Sequence, residues 1–212
     1  ILAKYVGWGG LPDVFEEKHT AYAELKELLT EEEYDSARSS VLTAFYTDPQ
    51  IIRGMYEVLE RMGFDGGKVL EPSCGIGTFI GCMPESMRAN SEVHGVELDT
   101  ITGKIAKYLY PQSDIQICGY EKTDYKDNTF DLAIGNVPFG DFKPYDPKYD
   151  SEYLIHDYFF AKALDQVRPG GVVAFITSKG TMDKANPAVR RYIAQRAELL
   201  GAVRLPNNAF KA

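Results

Sequence analysis

Asp131-Leu-Ala-Ile-Gly-Asn-Val-Pro-Phe-Gly140 is the stretch that decides the fold and the position of the candidate site. Its apolar run, Leu132 to Ile134, predicts a buried strand, and the proline-containing turn that follows cannot continue that strand. An amide, a proline and an aromatic ring therefore stand where a strand ends. Because ligands of open parallel α/β sheets bind outside the carboxyl ends of the strands, this turn is a candidate site.

Strands and helices alternate from residue 68 onward, which predicts a mostly parallel sheet with helices on both faces. Apolar residues at helical spacing predict helices over residues 49–62, 101–108 and 158–167, and another from Asn186-Pro187 through Ala197. Arg168-Pro-Gly-Gly171 is predicted to be a loop. The predicted strands, six in all, are Lys68–Leu70, Val93–Val96, Ile115–Cys118, Leu132–Ile134, Val172–Ile176 and Leu200–Leu205.

Length and composition limit the domain organisation and the partners. The 212 residues are predicted to form a helical N-terminal extension over 1–42 and an α/β domain over 43–212. The chain starts at Ile1 rather than Met and stops soon after the last predicted strand, so we expect a piece of a longer protein, incomplete at its C-terminus. No apolar run reaches the roughly 18 residues of a membrane span, and the cysteine spacing favours a reducing, cytoplasmic compartment without a metal site. The net charge of −8 requires any DNA contact to come from a local patch or from other regions.

The first predicted strand leads into Leu70-Glu-Pro-Ser-Cys-Gly-Ile-Gly77, where glycines let the backbone approach a ligand. This loop lacks the third glycine of a dinucleotide fingerprint, since Ile80 occupies that position. The Glu71 carboxylate suits a ligand with a positive charge or an amine. Glu97, at the end of the second strand, can accept both hydroxyls of a ribose, although an acid there is also compatible with a solvated loop. Asp99 is equally compatible with a ligand contact and with a role as the N-cap of the following helix.

These segments resemble S-adenosylmethionine-dependent N6-adenine DNA methyltransferases in their order and spacing. The resemblance rests on Glu71 to Gly77, Glu97, Asn136-Val-Pro-Phe139 and Phe45-Tyr-Thr47. More closely, the whole chain resembles the methylase domain of large helicase-methylase proteins of conjugative elements and phages. Four further segments carry this closer likeness: Trp8-Gly-Gly-Leu-Pro12, His156-Asp-Tyr-Phe-Phe-Ala-Lys-Ala-Leu164, Arg168-Pro-Gly-Gly171 and Arg204-Leu-Pro-Asn207.

The resemblance implies a Rossmann-like fold, S-adenosylmethionine as cofactor, an adenine turned out of DNA as substrate, and a parent polypeptide with a helicase among its other domains. Asn136 and the Val137 carbonyl would accept hydrogen bonds from the adenine amine, with Pro138 shaping the turn and Phe139 stacking on the base. No metal or general base is implied, because positioning does most of the catalysis. The implied cofactor-binding residues are Tyr46, Thr47, Glu71, Pro72, Ser73, Cys74, Gly75, Gly77, Glu97, Leu98 and Glu121.

Val137 departs from the family pattern, which usually has proline after the asparagine. Valine keeps the carbonyl acceptor but has an N–H group and a freer φ, so a slower methyltransferase and a non-catalytic module that binds cofactor or DNA are both compatible with it. A methyltransferase acting on RNA or on protein glutamine is a third hypothesis, since the turn can hold any planar amide or amine. Glu121 is preferred over Asp124 as the acid that would hold the cofactor adenine.

Several residues outside these motifs have competing interpretations. The tyrosine- and lysine-rich stretch Asp141–Tyr153 is compatible with contact to a nucleotide or with a mobile, solvated loop. Trp8 and His156 are interpreted as packing or capping residues rather than as ligand contacts or catalysts. Lys162 and Arg168 are predicted to lie on solvent-exposed helix faces.

Overall fold

The structure is a computed structural model that describes residues 2–5, 7–9, 11–41, 46–149, 153–206 and 209. Short 3-10 helices lie at Leu2–Lys4, Pro12–Phe15 and Tyr120–Lys122. The strands are β1 (Gly67–Glu71), β2 (Ser91–Glu97), β3 (Asp114–Ile117), β4 (Phe130–Asn136) and β5 (Val167–Ile176). The helices are α1 (Tyr22–Leu28), α2 (Glu31–Ser40), α3 (Pro49–Arg61), α4 (Thr78–Cys82), α5 (Glu85–Ala89), α6 (Thr100–Leu109), α7 (Ile155–Gln166), α8 (Gly180–Asp183) and α9 (Ala188–Ala194).

The five strands form one parallel sheet in the order β3-β2-β1-β4-β5, which confirms the predicted Rossmann-like α/β class. Side chains of β4 alternate between the two faces, as a strand buried on both sides requires. Leu132 and Ile134 pack with α3 on one face, and Ala133 packs with α7 on the other. The carboxyl ends of β1, β2 and β4 therefore meet at one edge of the sheet, where the predicted site residues follow.

The prediction of a sixth strand is wrong for the residues that the structure describes. Residues 200–205 form no strand, and Leu200 and Val203 are exposed, at 63% and 87% of their surface. An isolated apolar run predicts a strand only if a partner strand accepts its hydrogen bonds, and no such pairing is present here. The loop predicted at Arg168-Pro-Gly-Gly171 is instead the first half of β5, where the register shifts between Phe130 and Leu132.

The N-terminal helices attach to the sheet beside the predicted cofactor residues. Thr30 and Glu33 form a capping box at the N-terminus of α2. From the same helix, Ser36 Oγ donates to Asp99 Oδ1 over 3.1 Å and accepts from the Thr100 N–H over 3.0 Å. Since Asp99 also caps α6, helix α2 is fixed against the segment that follows β2. Trp8 packs edge-on against Phe15 at 5.6 Å between ring centroids, in a small core that belongs to this region.

Lys162 is buried, contrary to the predicted solvent-exposed position. It is 5% exposed, and its Nζ donates to the Tyr120 carbonyl over 2.8 Å and to Asp146 Oδ2 over 3.1 Å. The Tyr158 hydroxyl donates to the same Asp146 oxygen over 2.7 Å. This network attaches the loop after β4 to α7, because Asp146 is part of that loop. Arg168 is half exposed, as predicted, and pairs with Asp131, but it lies in β5 and not on a helix.

Replacing Lys162 by Met is expected to lower the free energy of unfolding by about 2 kcal/mol, the usual range for hydrogen bonds to a charged group. The loss arises because Asp146 and the Tyr120 carbonyl would each lose a donor. Urea unfolding of the two proteins measures it. Lys104→Met is the matched control: this exposed lysine pairs with Glu33 at the surface, so its removal is expected to change stability little. Equal stability of the Lys162→Met variant and wild type would contradict the assigned network.

No helix among the described residues is long and apolar enough to cross a bilayer.

Candidate functional site

A cavity of about 550 Å³ opens at the carboxyl ends of β1, β2 and β4. Of the fifteen predicted site residues, twelve line it. They come from five segments of the chain: the residues before α3, and the turns that follow β1, β2, β3 and β4. The twelve are Tyr46, Thr47, Glu71, Pro72, Ser73, Cys74, Gly75, Glu97, Leu98, Glu121, Asn136 and Pro138.

Glu97 connects the turns after β1 and β2. Its Oε2 accepts the Gly75 N–H over 2.8 Å, and its Oε1 accepts the Asp99 N–H over 2.8 Å. Burial raises the pKa of this carboxyl to about 7, although the two amide donors act in the opposite direction. A carboxylate oxygen has two lone pairs, so each oxygen keeps capacity for one more donor from the cavity. Glu97 is therefore suited to a ligand with two adjacent hydroxyls.

Glu71 and Thr47 are buried polar residues with acceptor atoms that face no protein donor. Glu71 is 2% exposed, and its Oε2 has no hydrogen-bond partner among the described residues; the same is true of Thr47 Oγ1. Burial, and then the nearby Glu97, raise the pKa of Glu71 well above its ordinary value. An unpaired buried polar group costs free energy, so these two atoms fit a ligand that carries donors or a positive charge.

The turn after β1 has a left-handed backbone at Gly75 and Gly77, with φ of 56° and 83°. A Cβ at Gly77 would lie 2.5 Å from the Tyr110 ring, so this glycine is needed for close packing under the turn rather than for lining the cavity. A Cβ at Gly75 would lie 3.7 Å from Tyr46 Cε1, which places the Tyr46 ring over the glycine turn. Phe45, the first residue of that predicted segment, lies outside the described residues.

The turn after β4 is held by hydrogen bonds on both of its sides. Ser73 Oγ donates to the Asn136 carbonyl over 2.7 Å, which joins this turn to the one after β1. The Val137 N–H donates to the Ile176 carbonyl of β5 over 3.1 Å, and the Val137 side chain is 1% exposed. A proline at position 137 has no N–H and cannot form the second of these bonds. The backbone of Val137 is thus restrained by its hydrogen bond to Ile176 and by burial of its side chain, whereas a proline would be restrained by its pyrrolidine ring.

Glu121 lines the cavity, whereas Asp124 does not. Glu121 is half-buried and lines the cavity, and its carboxylate lies so close to Gly119 that an added Cβ there would collide with it. Asp124 is exposed and lines only a second, more polar depression, which Glu121 also lines. The structure therefore brings Glu121, and not Asp124, to the other site residues.

Among the described residues, Gly77, Val137 and Phe139 are the predicted site residues that do not line the cavity. Gly77 and Val137 act through the backbone, but Phe139 was predicted to stack on the substrate and its side chain is half-buried away from the lining. His156 is buried, also outside the lining, and burial lowers its pKa.

The loop after β4 supplies lining residues that the motifs did not identify, namely Phe142, Pro144 and Tyr145. Tyr145 is 78% exposed and Phe142 is 49% exposed, so both rings stand at the mouth of the cavity. The alternation of aromatics and lysines in this loop was the available signal, and it did not single out these two rings. Asp146, the next residue, bonds to Tyr158 and Lys162 of α7. This attachment argues against the interpretation of Asp141–Tyr153 as a mobile, solvated loop.

Comparison with known proteins agrees with this geometry. The model of the Eco57I restriction-modification methylase family matches residues 27–210. Over 177 residues, the chain is 31% identical to the Defense against restriction protein B of Escherichia phage P1, which covers 81% of this chain and 8% of that protein. It is 26% identical over 139 residues to Modification methylase CviBIII of Paramecium bursaria Chlorella virus NC1A, covering 62% of this chain and 36% of that protein. The chain thus spans a small part of the length of these curated relatives.

A solved structure gives the same fold. A Listeria monocytogenes protein described as a class I S-adenosylmethionine-dependent methyltransferase superposes with a TM-score of 0.63 over 86% of this chain and 58% of that one, at 16% identity. S-adenosylmethionine, the predicted cofactor, is therefore the cofactor of a protein class whose fold this chain shares. The family match covers more than half of the chain, and the cavity lies where that fold binds its ligands. This chain belongs to the Eco57I restriction-modification methylase family.

Proposed function

We propose that this domain transfers a methyl group from S-adenosylmethionine to the N6 amine of adenine in DNA. The observation that supports this most is that the acidic residues Glu71 and Glu97 and the turn that contains Asn136 line the same cavity. A methyl donor and an amine acceptor must meet in a single water-poor space for direct transfer. Membership of a restriction-modification methylase family supports DNA as the substrate.

The cofactor half of the cavity fits S-adenosylmethionine in the chemistry of its side chains. Glu97 would accept the two ribose hydroxyls with the lone pairs that Gly75 and Asp99 leave available. Glu71, with an oxygen that meets no protein donor, would face the ammonium or sulfonium end of the cofactor, and Thr47 would bond to it there. Glu121 would hold the adenine amine of the cofactor. When bound, the cofactor supplies an electrophilic methyl group on a sulfur that leaves readily.

The substrate half supplies acceptors for an amine. The lone pair of adenine N6 is delocalised into the ring, so the amine attacks only when acceptors hold its hydrogens while the nitrogen becomes tetrahedral. Asn136 would provide its side-chain oxygen, and the Val137 carbonyl would provide the second acceptor. The Ser73 hydrogen bond joins the backbone of this turn to the cofactor half, and the Val137 hydrogen bond joins it to β5. Positioning of this kind accounts for most of the catalysis that such a transfer needs.

Labelled methyl transfer tests the proposed function. The domain is incubated with radiolabelled S-adenosylmethionine and one substrate at a time. The three substrates are unmethylated DNA, RNA and a glutamine-containing peptide. Label is expected in DNA. Calorimetric titration with the cofactor separates the alternatives: a protein that binds cofactor but labels none of the three substrates would be a non-catalytic module, and label in RNA or peptide alone would assign a different methyltransferase.

Cofactor affinity is expected to depend on pH through Glu97. The ribose hydroxyls donate to the ionised carboxylate, so binding is strongest above the pKa of about 7 and falls by about tenfold per pH unit below it. Calorimetry across this range measures the effect. Glu97→Gln removes one of the two buried carboxyls that face the cofactor, so its weaker affinity is expected to depend less on pH than that of wild type, with the remaining dependence caused by Glu71. A wild-type affinity that is constant across the range would contradict the role of Glu97.

A further inference from the structure

The C-terminal part of the chain differs in charge from the rest. Residues 177–206 contain six Lys or Arg and two Asp or Glu, a net charge of +4. Since the whole chain carries −8, the other residues together carry −12. A duplex approaching this domain would therefore be repelled by most of its surface and attracted by one segment. That segment begins directly after β5 and contains α8 and α9.

Not all of these basic residues have charge available for a partner. Lys184 pairs with the buried Asp157, Arg196 lies 3.9 Å from Asp165, and Arg204 lies 3.6 Å from Asp183. These pairs attach the segment to α7 or neutralise it locally. In contrast, Lys179, Arg190 and Arg191 form no ion pair with any carboxylate of the described residues. We call these three residues the basic surface.

The basic surface belongs to the segment that follows β5, the strand whose last residue bonds to the proposed acceptor turn. The Ile176 carbonyl, which accepts the Val137 N–H, is three residues before Lys179. Helix α9 packs alongside α7, and its Tyr192 ring contacts the Tyr153 ring at 5.7 Å between centroids. Lys179 and Arg191 are exposed, and half-buried Arg190 uses one guanidinium nitrogen for the Lys184 carbonyl at 2.7 Å. A guanidinium has five donors, so Arg190 keeps several for another acceptor.

We propose that the basic surface binds the sugar-phosphate backbone of DNA next to the adenine in the cavity. This inference rests on the proposed function, because it names the contact that would bring a duplex to the same site. Phosphate contacts fix the register and orientation of a protein on DNA without reading sequence. Lys179, Arg190 and Arg191 would supply them from a segment that the Lys184–Asp157 pair fixes on the fold.

The salt dependence of DNA binding tests the basic surface. Fluorescence anisotropy with a short labelled duplex compares wild type with the triple variant Lys179→Gln, Arg190→Gln, Arg191→Gln between about 50 and 200 mM salt. Each lost phosphate contact is expected to reduce the slope of log K against log salt by about 0.9, or about 2.7 for three. The ratio of the wild-type affinity for DNA to the affinity of the triple variant should therefore fall by roughly 40-fold across this fourfold increase in salt.

A control variant with the same change in net charge separates local contact from overall charge. Arg53→Gln, Arg61→Gln and Lys107→Gln remove three cations from α3 and α6, and the slope for this variant is expected to equal that of wild type. Equal slopes for wild type and the basic-surface variant, or no binding of DNA by wild type at low salt, would overturn the inference. Cofactor titration of every variant verifies that it is folded.

The outcome is independent of catalysis. If the basic-surface variant shows a smaller salt slope than wild type while wild type methylates no DNA, the inferred DNA contact is supported and the proposed function is contradicted. If wild type methylates DNA while wild type and the basic-surface variant have equal salt slopes, the proposed function is supported and the inferred DNA contact is contradicted.

Discussion

Asn136→Ala is expected to lower kcat for methyl transfer to DNA by about 100- to 1,000-fold, the usual cost of removing one group that stabilises charge in the transition state. The alanine variant keeps the backbone of the turn, including the bonds from Ser73 to the Asn136 carbonyl and from Val137 to Ile176. Its affinity for the cofactor should therefore stay near that of wild type. Steady-state kinetics with labelled cofactor, together with calorimetry, measures both quantities.

Asn136→Asp is the matched control for this prediction. Aspartate is nearly the same size as asparagine and keeps a side-chain oxygen that can accept from an amine. It is expected to retain much more activity than the alanine variant. An alanine variant as active as wild type would show that Asn136 is a turn residue and that the acceptor of the amine lies elsewhere.

Val137→Pro is expected to lower both stability and activity, although it restores the residue that related methyltransferases usually have here. The change removes the N–H that donates to the Ile176 carbonyl and replaces a side chain that is 1% exposed. We expect the free energy of unfolding to fall by about 3 kcal/mol. Displacement of the Asn136 side chain is expected to lower kcat by about 100-fold. Urea unfolding and steady-state kinetics measure the two effects.

Val137→Ala separates the backbone from the side chain. Alanine keeps the N–H, so its kcat should remain within about threefold of wild type, while its stability falls by about 2 kcal/mol from the lost packing. A proline variant more active than wild type would show that the valine is a weakened form of the turn. It would also contradict the restraint that the structure assigns to the Val137–Ile176 hydrogen bond.

The core of the fold was predictable because its strands are buried on both faces. Val69, Leu132 and Ile134 belong to short apolar runs bounded by turn residues, and such runs leave few alternatives to a central strand. The run Leu200–Leu205 is also mostly apolar but forms no strand among the described residues. Pairing at the end of a sheet depends on a distant partner strand, and residue type alone does not reveal whether that partner is present.

The lining of the cavity was predictable in part because short motifs at strand ends converge in a parallel sheet. The sequence pattern identified Glu71, Glu97 and Asn136, and the structure brings them to one cavity. It did not identify Phe142, and it included Tyr145 only within the tyrosine- and lysine-rich stretch Asp141–Tyr153, because nothing local indicates which part of a long loop reaches the opening.

Two other features depend on contacts between residues far apart in the chain. Lys162 looks like a solvated helix residue until Asp146 and the Tyr120 carbonyl are placed beside it. The restraint on Val137 likewise depends on a carbonyl of β5. In both cases the partner lies outside any motif, so the residue type suggested a different environment.

The position of the methyl group in the product tests the central claim most directly. DNA that has been incubated with the domain and S-adenosylmethionine is digested to nucleosides and analysed by mass spectrometry. The proposed function predicts N6-methyldeoxyadenosine with the wild-type protein and almost none with Asn136→Ala. Methylated cytosine, or no methylated nucleoside from a protein that binds the cofactor, would contradict it.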